Sequence, residues 1–255
     1  MVNTIFEMIN KYENEKKTGL IYDLLNKRYI YKDEKNNLEY EIKISTNIVD
    51  MQTTLNMVEN AINSIIYFTD HLFEDSDTIV YYFGELGTEN EFSVFKYKEQ
   101  PMLKIKKHNK MAFNDLCIFK SDEKFVTDIS IIKKTLNNPN IYFIGEQRKI
   151  RKKNFIISKV TGNYFSVAIT NIICNQNVQK QLEIEFAGNV YNKKQTEIEI
   201  ITELSLVCKM VVNYNHESFS LDEQTKLEFL KANYCSFDDE KINIDIIINK
   251  LMEVQ

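Results

Sequence analysis

The sequence predicts an α+β fold: an antiparallel sheet closed into a β-barrel and flanked by N- and C-terminal helices. Three observations predict it. Apolar residues recur at helical intervals near both ends of the chain. Between them lies a long stretch of alternating or β-prone runs. Inside that stretch, Leu38-Glu39-Tyr40-Glu41-Ile42-Lys43-Ile44 and Leu182-Glu183-Ile184-Glu185-Phe186 each set two glutamates two residues apart in an apolar context.

In chain order, residues 3–30 read as one or two helices, from Ile5, Met8, Ile9 and Tyr12 and then Leu20, Tyr22, Leu24 and Leu25. A strand follows Asn36-Asn37. Its period of two puts Glu39, Glu41 and Lys43 on one face, with Leu38, Tyr40 and Ile42 on the other. Asp50 or Thr53 then caps a helix whose stripe is Leu55, Val58, Ile62, Ile65 and Ile66. Strands are predicted over 78–83, closed by Gly84, and over 91–97, 103–106, 130–132, 141–144, 150–157 and 164–170. A turn at Asn175 leads to the second glutamate pair. Helices return at Glu197, where Ile200, Leu204, Val207, Cys208 and Val211 share a face, and again over 225–232 and 242–252.

With only 6 Gly and 2 Pro, no flexible linker divides the 255 residues. One domain, 1–255, is predicted, with a barrel core of about 36–190 and helical flanks at 1–35 and 195–255. The 44% hydrophobic content supports a substantial core. A net charge of −5 argues against indiscriminate coating of nucleic acid but permits a locally basic pocket. Cys117, Cys174, Cys208 and Cys235 show no C-x-x-C spacing, and His71, His108 and His216 are scattered, so zinc and a Ser–His relay gain no support. No apolar run reaches transmembrane length and no secretory apolar region opens the chain. A soluble intracellular protein without a membrane partner is expected.

A lone E-x-E strand is usually a solvent-facing edge. Two of them in one barrel put Glu39, Glu41, Glu183 and Glu185 in a lumen, where mutual repulsion and desolvation require cations. Hard oxygen donors suit Mg²⁺ or Mn²⁺. Basic strands supply the opposite charge. Lys104 and Lys106 share one face, and residues 148–153 hold five cations. Spacing leaves open which parity of the latter enters the lumen: Lys149, Arg151 and Lys153, or Arg148 and Lys152. Carboxylates opposite cations suit a metal-chelated polyphosphate. No glycine-rich phosphate loop is present.

The run Glu39-Tyr40-Glu41-Ile42-Lys43 resembles the E-x-E-x-K signature of the triphosphate tunnel metalloenzymes. Glu183-Ile184-Glu185-Phe186 resembles the second E-x-E strand of their branch of metal-dependent mRNA 5′-triphosphatases of fungi, protists, microsporidia and large DNA viruses. Lys104-Ile105-Lys106-Lys107, Asn114 to Ile118, Asp128 to Ile131, Arg148 to Phe155 and Val167 to Ile172 resemble further landmarks in order. Asp128, Ala168 and Gln181 stand where that family has Arg, Asp and an acidic residue.

The resemblance implies an eight-stranded barrel and removal of the γ-phosphate from 5′-triphosphate RNA in mRNA capping. It implies Glu39, Glu41 and Glu185 as ligands of Mg²⁺ or Mn²⁺, with Glu183 completing the catalytic set. Lys43, Lys104, Lys106, Arg148, Lys149, Arg151 and Lys153 would contact phosphate. Absence of K-x-D-G implies a separate RNA guanylyltransferase as partner, and location in the nucleus, or in the cytoplasm if viral. A homodimer is left open. The alternatives are a hydrolase of small triphosphates (tripolyphosphate, thiamine triphosphate, nucleoside triphosphates) and a non-catalytic RNA-end-binding subunit.

Overall fold

The computed structural model describes residues 20–23, 28–31, 38–62, 66–68, 74–97, 99–158, 160–189, 195–233 and 242–253. A hairpin of β1 (Leu20–Asp23) and β2 (Arg28–Tyr31) comes first. Then follow β3 (Leu38–Thr46), α1 (Met51–Ile62), β4 (Ile66–Phe68), β5 (Glu74–Glu85), β6 (Asn90–Tyr97), β7 (Gln100–Phe113) and β8 (Leu116–Val126). The chain continues with α2 (Ile129–Leu136), β9 (Ile141–Ser158), β10 (Asn163–Cys174), β11 (Asn177–Asn189) and α3 (Glu197–Tyr214). The last elements are β12 (Phe219–Asp222), α4 (Lys226–Asn233) and α5 (Ile244–Met252).

Eight strands pair antiparallel in the order β10-β11-β3-β8-β7-β6-β5-β9, and β9 pairs back onto β10. The sheet is therefore a closed barrel. One seam is unusual. β3 bonds to β8 only over residues 38–41, and over Lys43–Thr46 it takes β12 as partner instead.

Much of the outward surface is apolar and covered by helices. Ile42 and Ile44 of β3, Val167 and Ile169 of β10, and Leu182 and Ile184 of β11 pack with Leu55 and Val58 of α1 and Leu204, Val207 and Val211 of α3. Truncating such a residue, as in Ile44→Ala, costs roughly 2–5 kcal/mol. On another side Tyr81, Phe83, Phe92, Val94 and Leu103 meet Ile132 and Leu136 of α2 and Ile247 and Leu251 of α5. The opposite strand faces turn into the barrel, so the polar residues of that parity line the lumen.

The helices start where side chains take up free backbone N–H groups. The Asp50 carboxylate accepts from the Thr53 N–H at 2.7 Å. Thr196 and Glu199 form a reciprocal box at the start of α3, worth about 1 kcal/mol. No helix among the described residues is long and apolar enough to cross a membrane.

Several sequence expectations are corrected. Leu20 and Tyr22 lie in the β1–β2 hairpin, not a helix, because their spacing also satisfies a period of two and Leu20–Asp23 finds a partner in Arg28–Tyr31. Ile5, Met8, Ile9, Tyr12, Leu24 and Leu25 lie outside the described residues. Residues 130–132 are helical rather than extended, since the Asp128 side chain accepts from the N–H groups of Ser130 and Ile131 and nucleates α2. Ile66 belongs to β4, not to the stripe of α1. The two strands expected over 141–144 and 150–157 are one strand, β9, of 18 residues.

Candidate functional site

Directly opposed residues of antiparallel strands point to the same face, so the register identifies the lumen lining. Glu41 stands opposite Glu185 and Lys43 opposite Glu183 on the β3–β11 pair. Glu183 in turn opposes Ala168, and Ala168 opposes Lys153. Across the other wall, Glu39 opposes Ser121, Glu123 opposes Lys106, and Lys106 opposes Glu91. The four glutamates of the two E-x-E strands thus share one enclosed space with cations. Glu41, Lys43, Glu183 and Lys153 are each no more than 5% exposed.

The ion pairs show how these charges coexist. The Lys43 ammonium lies 3.2 Å from Glu41 Oε1 and 3.1 Å from Glu183 Oε1. Lys106 Nζ lies 2.9 Å from Glu123 Oε1, 3.3 Å from Glu39 Oε2 and 3.5 Å from Glu41 Oε1. Lys104 pairs with Glu123 from the other side. The Lys226 ammonium, from the start of α4, is 2.7 Å from both carboxylate oxygens of Glu183. Aromatic faces supply further compensation, with Lys149 over Tyr82 at 5.0 Å and Lys43 over Phe119 at 4.9 Å.

The parity of β9 is settled. Lys149, Arg151 and Lys153 oppose Ile172, Thr170 and Ala168 and face inward. Arg148 and Lys152 face out. Arg148 donates from Nε to Asp77 Oδ1 at 2.8 Å and from Nη2 to Oδ2, and Lys152 reaches Asp75 at 3.0 Å. Arg148 is therefore not brought to the site, because the strand pleat turns it away from its neighbours. Every other sequence-predicted site residue lines the lumen: Glu39, Glu41, Lys43, Lys104, Lys106, Lys149, Arg151, Lys153, Glu183 and Glu185.

The three departures have different placements. Asp128 is an exposed helix cap outside the barrel. Ala168 sits in the lumen between Glu183 and Lys153. Gln181 is fully buried and ties the wall to the later chain through Asp222 Oδ2 at 2.8 Å and the Gln224 carbonyl at 3.0 Å. Sequence reasoning missed Glu91, Ser121, Glu123 and Lys226. The alternation of Ser121, Glu123 and Phe125 was a signal for β8. Lys226 had none.

Titration behaviour divides the lumen. Burial raises the Glu41 carboxyl, but Lys106 and Lys43 outweigh it and hold it below its ordinary value. Burial likewise opposes ionisation of Glu183, and Lys226, Lys43 and Arg151 together hold it well below. Glu123 is raised, by burial first and then by Glu39, with which it shares a hydrogen bond. Burial and repulsion from Lys226 push Lys149 well below its usual range. Lys226 itself is lowered to about 8, chiefly by burial, with Glu183 opposing and Lys43 and Arg151 adding to the fall. Burial would lower Lys43 too, yet Glu41 and Glu183 bring it to about 12. Lys149, Arg151 and Lys226 lie close enough to disfavour one another's charge, with Glu183 as a carboxylate they share. Glu39 and Glu123 crowd each other, and Lys104 and Lys106 lie against them.

Glu39, Glu41 and Glu185 offer the all-oxygen donor set that a hard divalent cation takes. Two observations agree with such an ion. Glu41 Oε1 is buried and faces only the ammoniums of Lys43 and Lys106, at 3.2 and 3.5 Å, without a well-formed hydrogen bond among the described residues, and Glu39 and Glu123 approach closely enough to share a proton. Among the described residues no three carboxylates already converge on one point, since Lys43 and Lys106 stand between them. The donor types fit Mg²⁺ or Mn²⁺ once those ammoniums turn toward an anion. Thr170 Oγ1, Gln147 Oε1 and Gln181 Oε1 are also buried without a hydrogen-bond partner among the described residues, so this lumen is built for polar contents.

No family model matches the chain, and no curated protein matches it. Solved structures that resemble it include the putative adenylyl cyclase HpAC1 from Hippeastrum, reported with a dominant triphosphatase activity, at 10% identity, 78% of this chain, 98% of that chain and a TM-score of 0.47. Protein PH1819 from Pyrococcus horikoshii OT3 is similar at 13% identity, 75% and 97% coverage and a TM-score of 0.49. The S. pombe RNA triphosphatase Pct1 is similar at 14% identity, 71% and 85% coverage and a TM-score of 0.36. The barrel assignment rests on the strand pairing of this chain itself.

Proposed function

We propose that the protein is a divalent-metal-dependent triphosphate hydrolase, and that its substrate is the 5′-triphosphate end of RNA in the first step of cap formation. The observation that carries this reading is the enclosure of opposed carboxylate and cation sets in one barrel. Glu39, Glu41 and Glu185 would hold Mg²⁺ or Mn²⁺, and the ion, when bound, neutralises charge on the phosphate oxygens. Lys149, Arg151 and Lys153 bind the phosphate chain from β9, and Lys104 and Lys106 approach it from β7.

Water attacks the γ-phosphorus in line. The bond from phosphorus to the bridging β-oxygen breaks, the diphosphate end leaves, and the water proton goes to the released phosphate. Glu183 stays ionised between Lys43 and Lys226 and accepts a hydrogen bond from the attacking water. Ala168 adds no carboxylate beside it, so Glu183 carries that role without help from β10. A separate guanylyltransferase would act on the diphosphate product, since this sequence has no K-x-D-G.

The direct test is release of labelled γ-phosphate from 5′-triphosphate RNA with Mg²⁺ or Mn²⁺, compared with tripolyphosphate and nucleoside triphosphates. Release from RNA that disappears in Glu41→Gln supports the proposal. Exclusive turnover of tripolyphosphate would move the assignment to a small-triphosphate hydrolase. Tight binding of triphosphates with no turnover would make the barrel a binding subunit.

A further inference from the structure

Lys149 is held differently from four other lysines that face the lumen. Lys43, Lys104, Lys106 and Lys226 each lie against a carboxylate. Among the described residues no carboxylate pairs with the Lys149 ammonium. Its contact is the ring of Tyr82, whose centroid lies 5.0 Å from Nζ. The register explains how the two meet. Lys149 on β9 opposes Thr78 of β5, and Thr78, Val80 and Tyr82 succeed one another on the inner face of that strand. The lysine stem therefore runs along the wall, and its ammonium ends over the ring.

The ring is itself held in place. Tyr82 is 1% exposed and packs with Val80 of its own strand, Ile172 and Cys174 of β10, and Phe229 and Leu230 of α4. Burial, with Glu91 and Glu183, pushes its hydroxyl well above the ordinary value, so the ring stays neutral. Several charges act on Lys149 from the elements around it. Burial comes first; Lys226 of α4 and Lys104 of β7 also disfavour its charge, while Glu91 of β6 and Glu183 of β11 favour it. The negative face of an aromatic ring attracts a cation most strongly where water is excluded. Tyr82 thus acts in the same sense as those two acids, and it does so in direct contact.

We propose that Tyr82 is the positioning residue for Lys149: its ring holds the ammonium toward the lumen, where it meets a phosphate oxygen. This rests on the triphosphate reading above and adds to it a residue that acts only through another. A carboxylate in the place of the ring would hold the lysine more tightly, but it would also compete with phosphate for the same charge. The ring holds the lysine without supplying a rival anion. Lys149 therefore takes up phosphate without first breaking an ion pair, unlike Lys226, whose ammonium lies 2.7 Å from both oxygens of Glu183.

The test measures binding of inorganic tripolyphosphate to the full chain by calorimetry, for the native protein, Tyr82→Leu, Tyr82→Phe, Lys149→Met and the double variant Tyr82→Leu/Lys149→Met. Loss of a desolvated cation–π contact is expected to weaken binding about 10-fold or more in Tyr82→Leu. Tyr82→Phe, which keeps the ring, should recover most of that loss. In the Lys149→Met background Tyr82→Leu should cost nothing further. An equal loss in both backgrounds makes Tyr82 merely structural and overturns the proposal, as does a Tyr82→Phe protein no better than Tyr82→Leu. A second measurement needs no variant of Tyr82. In protein carrying isotope-labelled lysine, the ε-methylene resonance that disappears in Lys149→Met should lie upfield of the range of free lysine, moved there by the ring. A resonance within that range overturns the proposal. If the native protein binds no tripolyphosphate, the triphosphate reading falls and takes this role with it. If the native protein and Tyr82→Leu bind it equally, only the role of Tyr82 falls.

Discussion

The two faces of β9 carry the same chemistry into opposite circumstances. Outside, Arg148 and Lys152 each have their own carboxylate, Asp77 and Asp75, and remain in contact with water. Inside, Lys149, Arg151 and Lys153 are turned into the lumen beside Lys226, where burial and mutual repulsion act on Lys149 and Lys226. The outer pairs neutralise themselves and contribute little. The inner set is enclosed with the carboxylates of the two E-x-E strands, where charges are poorly screened and interact strongly. Residue type says nothing about which is functional; the pleat decides.

Substitutions should separate the faces sharply. The largest effect is expected from the site's two charge sets. Glu41→Gln, or Lys153→Met on the inner face of β9, should lower triphosphate turnover about 100-fold or more, as loss of preorganised charge stabilisation does. Turnover within a few-fold of native in both variants would refute the division. Next comes stability. Lys106 is enclosed by Glu39, Glu41 and Glu123, so Lys106→Met leaves buried carboxylates facing one another and should cost on the order of 3–5 kcal/mol in chemical denaturation.

A smaller effect is expected from acid. Glu183 and Glu41 have folded-state values below the ordinary 4.5, so the stability they contribute is present above about pH 4.5 and is lost as pH falls through the lowered values. Glu123, raised, works in the opposite sense. Thermal unfolding in chelator should therefore show a falling midpoint below about pH 4.5, flattened in Glu183→Gln. An unchanged slope in that variant would mean that Glu183 is not the group responsible. The smallest effect belongs to the outer face: Arg148→Ala should leave turnover and the melting midpoint close to native.

The sequence made much of this visible, for physical reasons that differ by residue. Glu39, Glu41, Glu183 and Glu185 were legible because an acidic pair in an apolar alternating run is costly unless it faces a special environment. The helix over Met51–Ile62 was legible from its cap and stripe together. Arg148 was misplaced because both parities of β9 are basic, so alternation carries no inside–outside contrast there. Residues 130–132 could be read either way, and the carboxylate of Asp128 decided for the helix. Lys226 was invisible because no local pattern places it; only the long-range bonds of residues 222–230 do.

The seam between β3 and β8 bears on how the molecule comes into being during synthesis. A nascent chain that has emerged as far as β11 can pair all eight strands, yet Lys43–Thr46 would still show a bare backbone edge beside β8. That edge is the type of surface on which chains stick to one another. Only when β12 arrives, long after its partner has left the ribosome, is the wall sealed. Removing the chain from residue 219 onward should therefore yield a protein that self-associates, even though every glutamate singled out at the start is still in place.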